Sequence, residues 1–179
     1  LTLKDIPCGK YGTLDKYEPD GDYIVIKFAR WAFEKFKGVQ DKLGTQMRAV
    51  GEVMSIGKTY KEAFQKAIRS LETGRYGLGH AKDFDTKTKE ELLQMLITAS
   101  SERHFIMYEA LRKGATVDEI HNITKVKHYF IEQMKELVEE EEALAANKGS
   151  LPADDALISA KKNGFSDKYL SQILGVSED

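Results

Sequence analysis

Four histidines, one cysteine and a run of four glutamates are the side chains in this sequence with the most obvious chemical potential. A metal centre needs ligands that converge, and a nucleophile needs a base within hydrogen-bond reach. His80, His104, His121 and His128 have no carboxylate or cysteine partners at spacings that suggest either arrangement, so each is expected to be a surface or packing residue. Cys8 has no second cysteine with which to form an internal disulfide and reads as an inert thiol. The run Glu139, Glu140, Glu141 and Glu142 would hold a metal only if further ligands arrived from elsewhere, and it is expected to be the solvated outer face of a helix. The motif GLGH at Gly77 to His80 lacks the preceding strand, the following helix and the lysine that give a phosphate-cradling loop its meaning, and reads as a linker.

The elements around these residues change character along the chain. Residues 22–30, DYIVIKFAR, alternate as a strand, with Tyr23, Val25 and Lys27 on one face and Ile24, Ile26 and Phe28 on the other. Both faces are largely apolar, so the strand needs cover on both sides and neighbours that one strand cannot supply. Residues 44–59 place Gly44, Gly51 and Gly57 around short apolar runs and read as strand and turn. Thr59 and Glu62 then form a capping pattern for a helix over 60–71, and Gly74, Gly77 and Gly79 close that segment. From about residue 83 the pattern is helical. Thr88 with Glu91 caps one helix, and a second runs through Phe105, Tyr108 and Leu111 to Gly114. Thr116 with Glu119 opens a short third helix. A longer helix over 128–146 carries Phe130, Met134, Leu137, Val138 and Leu144 on one stripe, Pro152 stands near the start of another, and Ser166 begins the last. The expected fold is mainly α, with a short strand-containing N-terminal piece followed by an all-α part.

A repeat at an offset of 50 relates Ala110, Arg112, Gly114, Thr116, Ile120, Ile123 and Val126 to Ala160, Lys162, Gly164, Ser166, Leu170, Ile173 and Val176. Each copy ends a helix on glycine and caps the next with a hydroxyl two residues later, so two helical hairpins are expected. DNA-binding helix-turn-helix units share this local grammar, which makes a small helical binding module the alternative reading. Its recognition helices would carry Asn122, Thr124 and Lys125 with Lys127 nearby, and Asp167, Lys168, Ser171 and Gln172. Phosphate contacts dominate nucleic-acid affinity, however, and neither hairpin is backed by a basic cluster. A formal charge of -2 with interspersed signs likewise provides no broad positive field for nucleic acid or an anionic membrane. With 41% hydrophobic and 31% charged residues, the chain has a soluble globular composition. A lone cysteine fits a reducing cytoplasm, and no apolar run approaches the roughly 20 residues that span a bilayer. The start at Leu1 suggests a piece of something longer.

Residues 22–31, DYIVIKFARW, residues 44–59, GTQMRAVGEVMSIGKT, and residues 65–69, QKAIR, resemble successive signatures of carbamoyl phosphate synthetase large subunits. SSERHFIMYEALRKGATVDEIHNITKV and KKNGFSDKYLSQILGV resemble the helical oligomerisation domain of that family in order and spacing, so the likeness covers nearly the whole chain. Phe28 and Ala29 stand where many members have isoleucine and proline.

The resemblance implies an ATP-dependent ligase with two ATP-grasp halves, one phosphorylating bicarbonate and the other carbamate. Ammonia comes from a glutaminase small subunit, and ATP with Mg or Mn belongs to the parent enzyme. It further implies that residues 1–73 end the first ATP-grasp module and that residues 74–179 form the oligomerisation domain. The catalytic and metal-binding residues of the first active site lie upstream in the family. No catalytic, cofactor-binding or metal residue is therefore carried into this sequence, and inactivity in isolation is expected. Glu52, within VGEVM, matches a family glutamate lining the passage for carbamate, although a carboxylate there is also compatible with a basic partner inside the fold. Gln46, Met47 and Arg48 are expected to hold that strand, with Arg30 and Trp31 structural. The implied partners are the rest of the large subunit, the glutaminase subunit and a second copy through the helical domain, in arginine or pyrimidine biosynthesis.

Overall fold

The computed structural model describes residues 1–35, 38–80 and 84–178. Two antiparallel strands, β1 (Ile24–Trp31) and β2 (Ala49–Gly57), form a ribbon in which Ile24 lies opposite Gly57 and Ala29 opposite Glu52, with an irregularity between Arg30 and Trp31. Seven helices follow among the described residues: α1 (Tyr60–Ser70), α2 (Lys89–Met95), α3 (Arg103–Arg112), α4 (Val117–Thr124), α5 (His128–Ala145), α6 (Asp154–Lys162) and α7 (Asp167–Leu174). The fold is mainly α, as its patterning suggests. The start expected near residue 83 lies outside the described residues, and the first helix of this half begins at Lys89. Preceding β1, three short turns of 3-10 helix are held by one bridge between Pro7 and Thr13 and bury no residue.

Strand alternation places Phe28 inward, where it meets Phe64 of α1 at a ring separation of 6.0 Å. The other face of the ribbon has no cover among the described residues: Val25, Val50, Met54 and Ile56 are 44%, 49%, 69% and 55% exposed. The inner face joins α1 to a core that continues through Leu92, Met107, Ile120, Ile131, Leu137 and Tyr169, all nearly or fully buried.

Capping chemistry sets where the helices start. Thr88 and Thr116 each accept from an amide three residues on, while Glu91 and Glu119 return the bond to the cap residue's own N–H. The Thr116 amide, with Lys89 and the Thr116 hydroxyl, holds the Glu119 carboxyl down at about 2. At α1 the pattern is modified. Thr59 accepts from the Glu62 amide at 3.2 Å, but the Glu62 carboxylate reaches the Lys58 amide at 2.7 Å rather than that of Thr59.

The offset of 50 reappears in the backbone. Gly114 and Gly164 have φ of +87° and +93°. Ala115 N–H donates to Ala110 O at 2.9 Å and Phe165 N–H to Ala160 O at 3.0 Å, the six-to-one bond of a Schellman stop in both copies. Each following helix also stops alike, at left-handed Lys125 and Gly175.

Two expectations about α5 are corrected. Phe130 is 38% exposed and Ile131 takes its place in the core. Glu141 is not part of a solvated face but completely buried. Seven residues separate it from Met134, and two helical turns return a side chain to the same stripe.

Candidate functional site

Glu52 sits on the uncovered face of β2, where its Oε1 accepts from Lys27 Nζ across the ribbon at 2.8 Å. The pair is framed by Val25, Met54 and Ile56, and its side chains are 63% and 56% exposed. At that exposure an ion pair contributes only about 0–1 kcal/mol, so its effect on stability is small. What the arrangement offers is a charged pair on an apolar surface. Arg48 O accepts from the Ala32 amide at 3.2 Å, which ties the chain before β2 to the end of β1, and Gln46 bonds the Arg48 side chain. Met47 is 87% exposed. Arg30 Nη1 donates to Leu71 O at 2.5 Å, joining β1 to the end of α1, while Trp31 faces Phe33 at 6.1 Å.

The most concentrated polar chemistry lies around Glu141. Its Oε2 accepts from the hydroxyls of Tyr108 at 2.6 Å and Tyr169 at 2.5 Å, and its Oε1 accepts from Arg112 Nη2 at 2.5 Å. Burial, reinforced by the neighbouring carboxylate, pushes both phenols well above their ordinary range. Burial opposes the charge on Arg112, but Glu141 and Glu109 outweigh it and the guanidinium is held more firmly protonated. Both phenol hydroxyls and Nη2 of Arg112 are thus committed to this carboxylate, while Nη1 of Arg112 reaches Glu142 at 2.9 Å and Nε lies 3.2 Å from Glu109. This is the pattern of a buried structural hub, since a group poised for proton transfer keeps a site open for substrate.

The glycine-rich stretch before it is also corrected: residues 77–79 are packed against this hub rather than forming a free linker. Leu78 is 1% exposed, Gly79 N–H donates to Tyr169 Oη at 2.9 Å, and a Cβ at Gly77 or Gly79 would overlap the Tyr169 side chain. Close approach of backbone to aromatic ring is what those glycines permit. Tyr108 and Tyr169 are the residues that sequence reasoning missed. Their only signal is an aromatic residue on an apolar stripe, which says nothing about a carboxylate 28 or 33 residues away.

The histidines separate. His80 Nε2 lies 3.6 Å from Glu141 Oε1, and His128 Nε2 lies 2.9 Å from Asp118 Oδ1 with its ring stacked 4.0 Å from that of His121. His104 nestles between Phe28 and Phe64, and burial beside Arg103 lowers its imidazole to about 4. Carboxylate partners therefore exist for two histidines, at separations that linear spacing did not flag. Among the described residues no three metal-binding side chains converge. Cys8 is half-buried and free.

On the two hairpins, Asn122, Lys125, Lys127 and Gln172 are exposed. Thr124 instead donates to Ile120 O at 2.8 Å and Ser171 to Lys168 O at 2.8 Å. Asp167 is paired with Lys161 at 2.8 Å and Lys168 with Glu178 at 3.3 Å, so the second hairpin presents neutralised charges rather than a cationic stripe. No helix among the described residues is long and apolar enough to cross a membrane.

These placements describe an α-helical body tied to a ribbon with one bare face, and comparison with known proteins agrees on where such a chain occurs. The family described as "Carbamoyl-phosphate synthetase large chain, oligomerisation domain" matches residues 52–179. A carbamoyl phosphate synthase large chain from Archaeoglobus fulgidus is 44% identical over 183 residues, covering 99% of this chain and 17% of that protein. The N-terminal section of the large chain from Methanopyrus kandleri is 39% identical over 93% of this chain and 32% of its own length. The large chain from Neisseria meningitidis is 42% identical over 97% of this chain and 16% of its own. This chain thus spans a third or less of these relatives. With the family match starting on Glu52 in the ribbon and running through all seven helices, the chain belongs to the carbamoyl phosphate synthase large-chain family.

Proposed function

We propose that this chain serves a glutamine-dependent carbamoyl phosphate synthase, an ATP-dependent ligase that makes carbamoyl phosphate from bicarbonate, ammonia and two ATP. Residues 1–73 close the first ATP-grasp module, whose parent uses ATP with Mg or Mn, and residues 74–179 mediate association of large chains. Glu52 lines the passage for carbamate. The glutaminase small subunit and the remainder of the large chain are its other partners, and the cytoplasm is its compartment. The observation that carries this reading is the ribbon packed on one side only. Its bare face of Val25, Val50, Met54 and Ile56 leaves apolar surface that a larger assembly would take out of water.

Association is tested by light scattering on the whole chain across a concentration series. A mass that rises to a dimer or beyond supports the helical half as an autonomous association domain. A strict monomer at high concentration removes that role from the isolated chain. Alone, the chain releases no ADP from ATP in the presence of bicarbonate and ammonia, and sustained bicarbonate-dependent release would overturn the assignment of catalysis to other parts of the enzyme.

A further inference from the structure

The turn that ends α6 is where the second hairpin grips α1, and it carries the chain's one Asn-Gly step, Asn163-Gly164. Gln65, 1% exposed on α1, donates through Nε2 to Asn163 O at 3.1 Å, and Arg69 Nη1 donates to Gly164 O at 3.2 Å. Gly164 is buried so close to α1 that a Cβ there would stand 3.0 Å from Glu62 Cα. The first copy of the repeat has Lys113 at the equivalent place, with φ and ψ of -81° and 9° against -85° and 5° at Asn163. The two turns thus share a backbone, and only the second bears a side-chain amide.

An asparagine before a glycine is a chemically weak point, because no Cβ shields the glycine nitrogen. That nitrogen attacks the asparagine Cγ: a C–N bond forms, the Cγ–Nδ2 bond breaks, and ammonia leaves with the proton of the glycine N–H. Water then opens the cyclic imide at either carbonyl, giving aspartate or isoaspartate. The docked turn opposes each requirement of ring closure. A ψ of 5° makes the Gly164 nitrogen eclipse the nitrogen of Asn163, whereas the five-membered ring needs it on the side of the Cβ. Asn163 Nδ2 is tied to Glu140 Oε2 at 2.8 Å, and the Gly164 N–H donates to Lys161 O at 3.1 Å.

We propose that Asn163-Gly164 is a deamidation site gated by the docking of α6 and α7, closed while the hairpin sits on α1 and reactive once it lifts. Conversion then prevents the hairpin from docking again. Aspartate sets a carboxylate against Glu140 where an amide had donated, and like charges at that distance repel. Isoaspartate adds one carbon to the main chain at a turn that has no slack against Glu62. A reversible local opening thereby becomes a permanent loss of the joint between α1 and the helical half.

The test incubates the whole chain in mildly alkaline buffer, with and without guanidinium chloride above the unfolding midpoint, and locates deamidation by mass spectrometry of peptides. In denaturant Asn163 is expected to convert ahead of Asn122 and Asn147. In the folded chain it should convert about tenfold more slowly or slower still, since only the opened fraction reacts. Glu140→Ala should speed the folded reaction and leave the denatured rate as it was. Chains converted in denaturant and refolded should exchange the amides of α6 and α7 about tenfold faster than Asn163→Lys chains, which borrow the first copy's residue, taken through the same cycle. Equal rates in folded and denatured chains overturn the proposal, as does a folded rate that Glu140→Ala leaves unmoved. Converted chains whose hairpin is as protected as that of Asn163→Lys, or earlier conversion of another asparagine in denaturant, overturn it too. The comparison of folded with denatured rates needs no variant, so a misfolded Glu140→Ala or Asn163→Lys does not shield the idea.

Discussion

Glu141 and His104 show how much single side chains weigh here. Replacing Glu141 by leucine leaves two buried phenol hydroxyls without their acceptor and takes from Arg112 one of its three carboxylates, and is expected to cost about 3–5 kcal/mol, read as a lowered urea midpoint. Glu141→Gln keeps an acceptor for the tyrosines and should cost less. His104 carries a pH dependence whose sign follows from its lowered imidazole. The folded chain resists protonation down to about 4 while the unfolded chain protonates near 6.5, so stability is fully present above 6.5 and is lost as pH falls toward 4. The loss is up to about 3 kcal/mol at 1.36 kcal/mol per pH unit. Urea unfolding of His104→Phe at a series of pH values should show this slope removed between those limits, with the aromatic contacts to Phe28 and Phe64 kept. A slope unchanged by the substitution would mean that other groups carry it. None of this was legible from residue types. An acidic run reads as a wet face until helical phase is counted from Met134, and the partners of Glu141 lie as far as 33 residues away along the chain.

Helix starts and stops were the most legible part of the fold, because a cap is a local bond between residues three apart and its signature survives in sequence. Thr88 with Glu91 and Thr116 with Glu119 do what their spacing foretells. Thr59 with Glu62 does so in part, since Lys58 and Lys66 compete for the carboxylate. The two glycine stops also invite comparison. An added methyl at Gly114 meets nothing within 4 Å, whereas at Gly164 it comes within 3.0 Å of Glu62 Cα and its carbonyl oxygen. Gly114→Ala should therefore cost only the left-handed penalty of about 1–2 kcal/mol, and Gly164→Ala distinctly more, as thermal unfolding will show. Lys125 occupies the left-handed position that Gly175 fills in the other copy, so Lys125→Gly is expected to stabilise by up to about 1 kcal/mol. Equal costs at the two glycines would mean that α1 moves aside freely.

For the whole molecule, the bare face of the ribbon matters most. Apolar alternation on both faces of residues 22–30 marks it in the sequence, yet the sequence cannot say which face this chain covers, because that depends on where α1 lands. Met54 is 69% exposed, so Met54→Asp should leave the urea midpoint within about 0.5 kcal/mol of the unaltered chain. The same change should abolish association with the remainder of a large chain, measured by co-purification, and a large loss of intrinsic stability would show that this face is already covered.

The bond from the Gly79 amide to Tyr169 spans 90 residues. On a ribosome, the carboxylate of Glu141 stays wet after its own helix has emerged, and it is sealed only once Tyr169 has been synthesised. The glycine-rich stretch can lock down no earlier than that, so the last hairpin of the chain governs when one of its earlier segments becomes ordered.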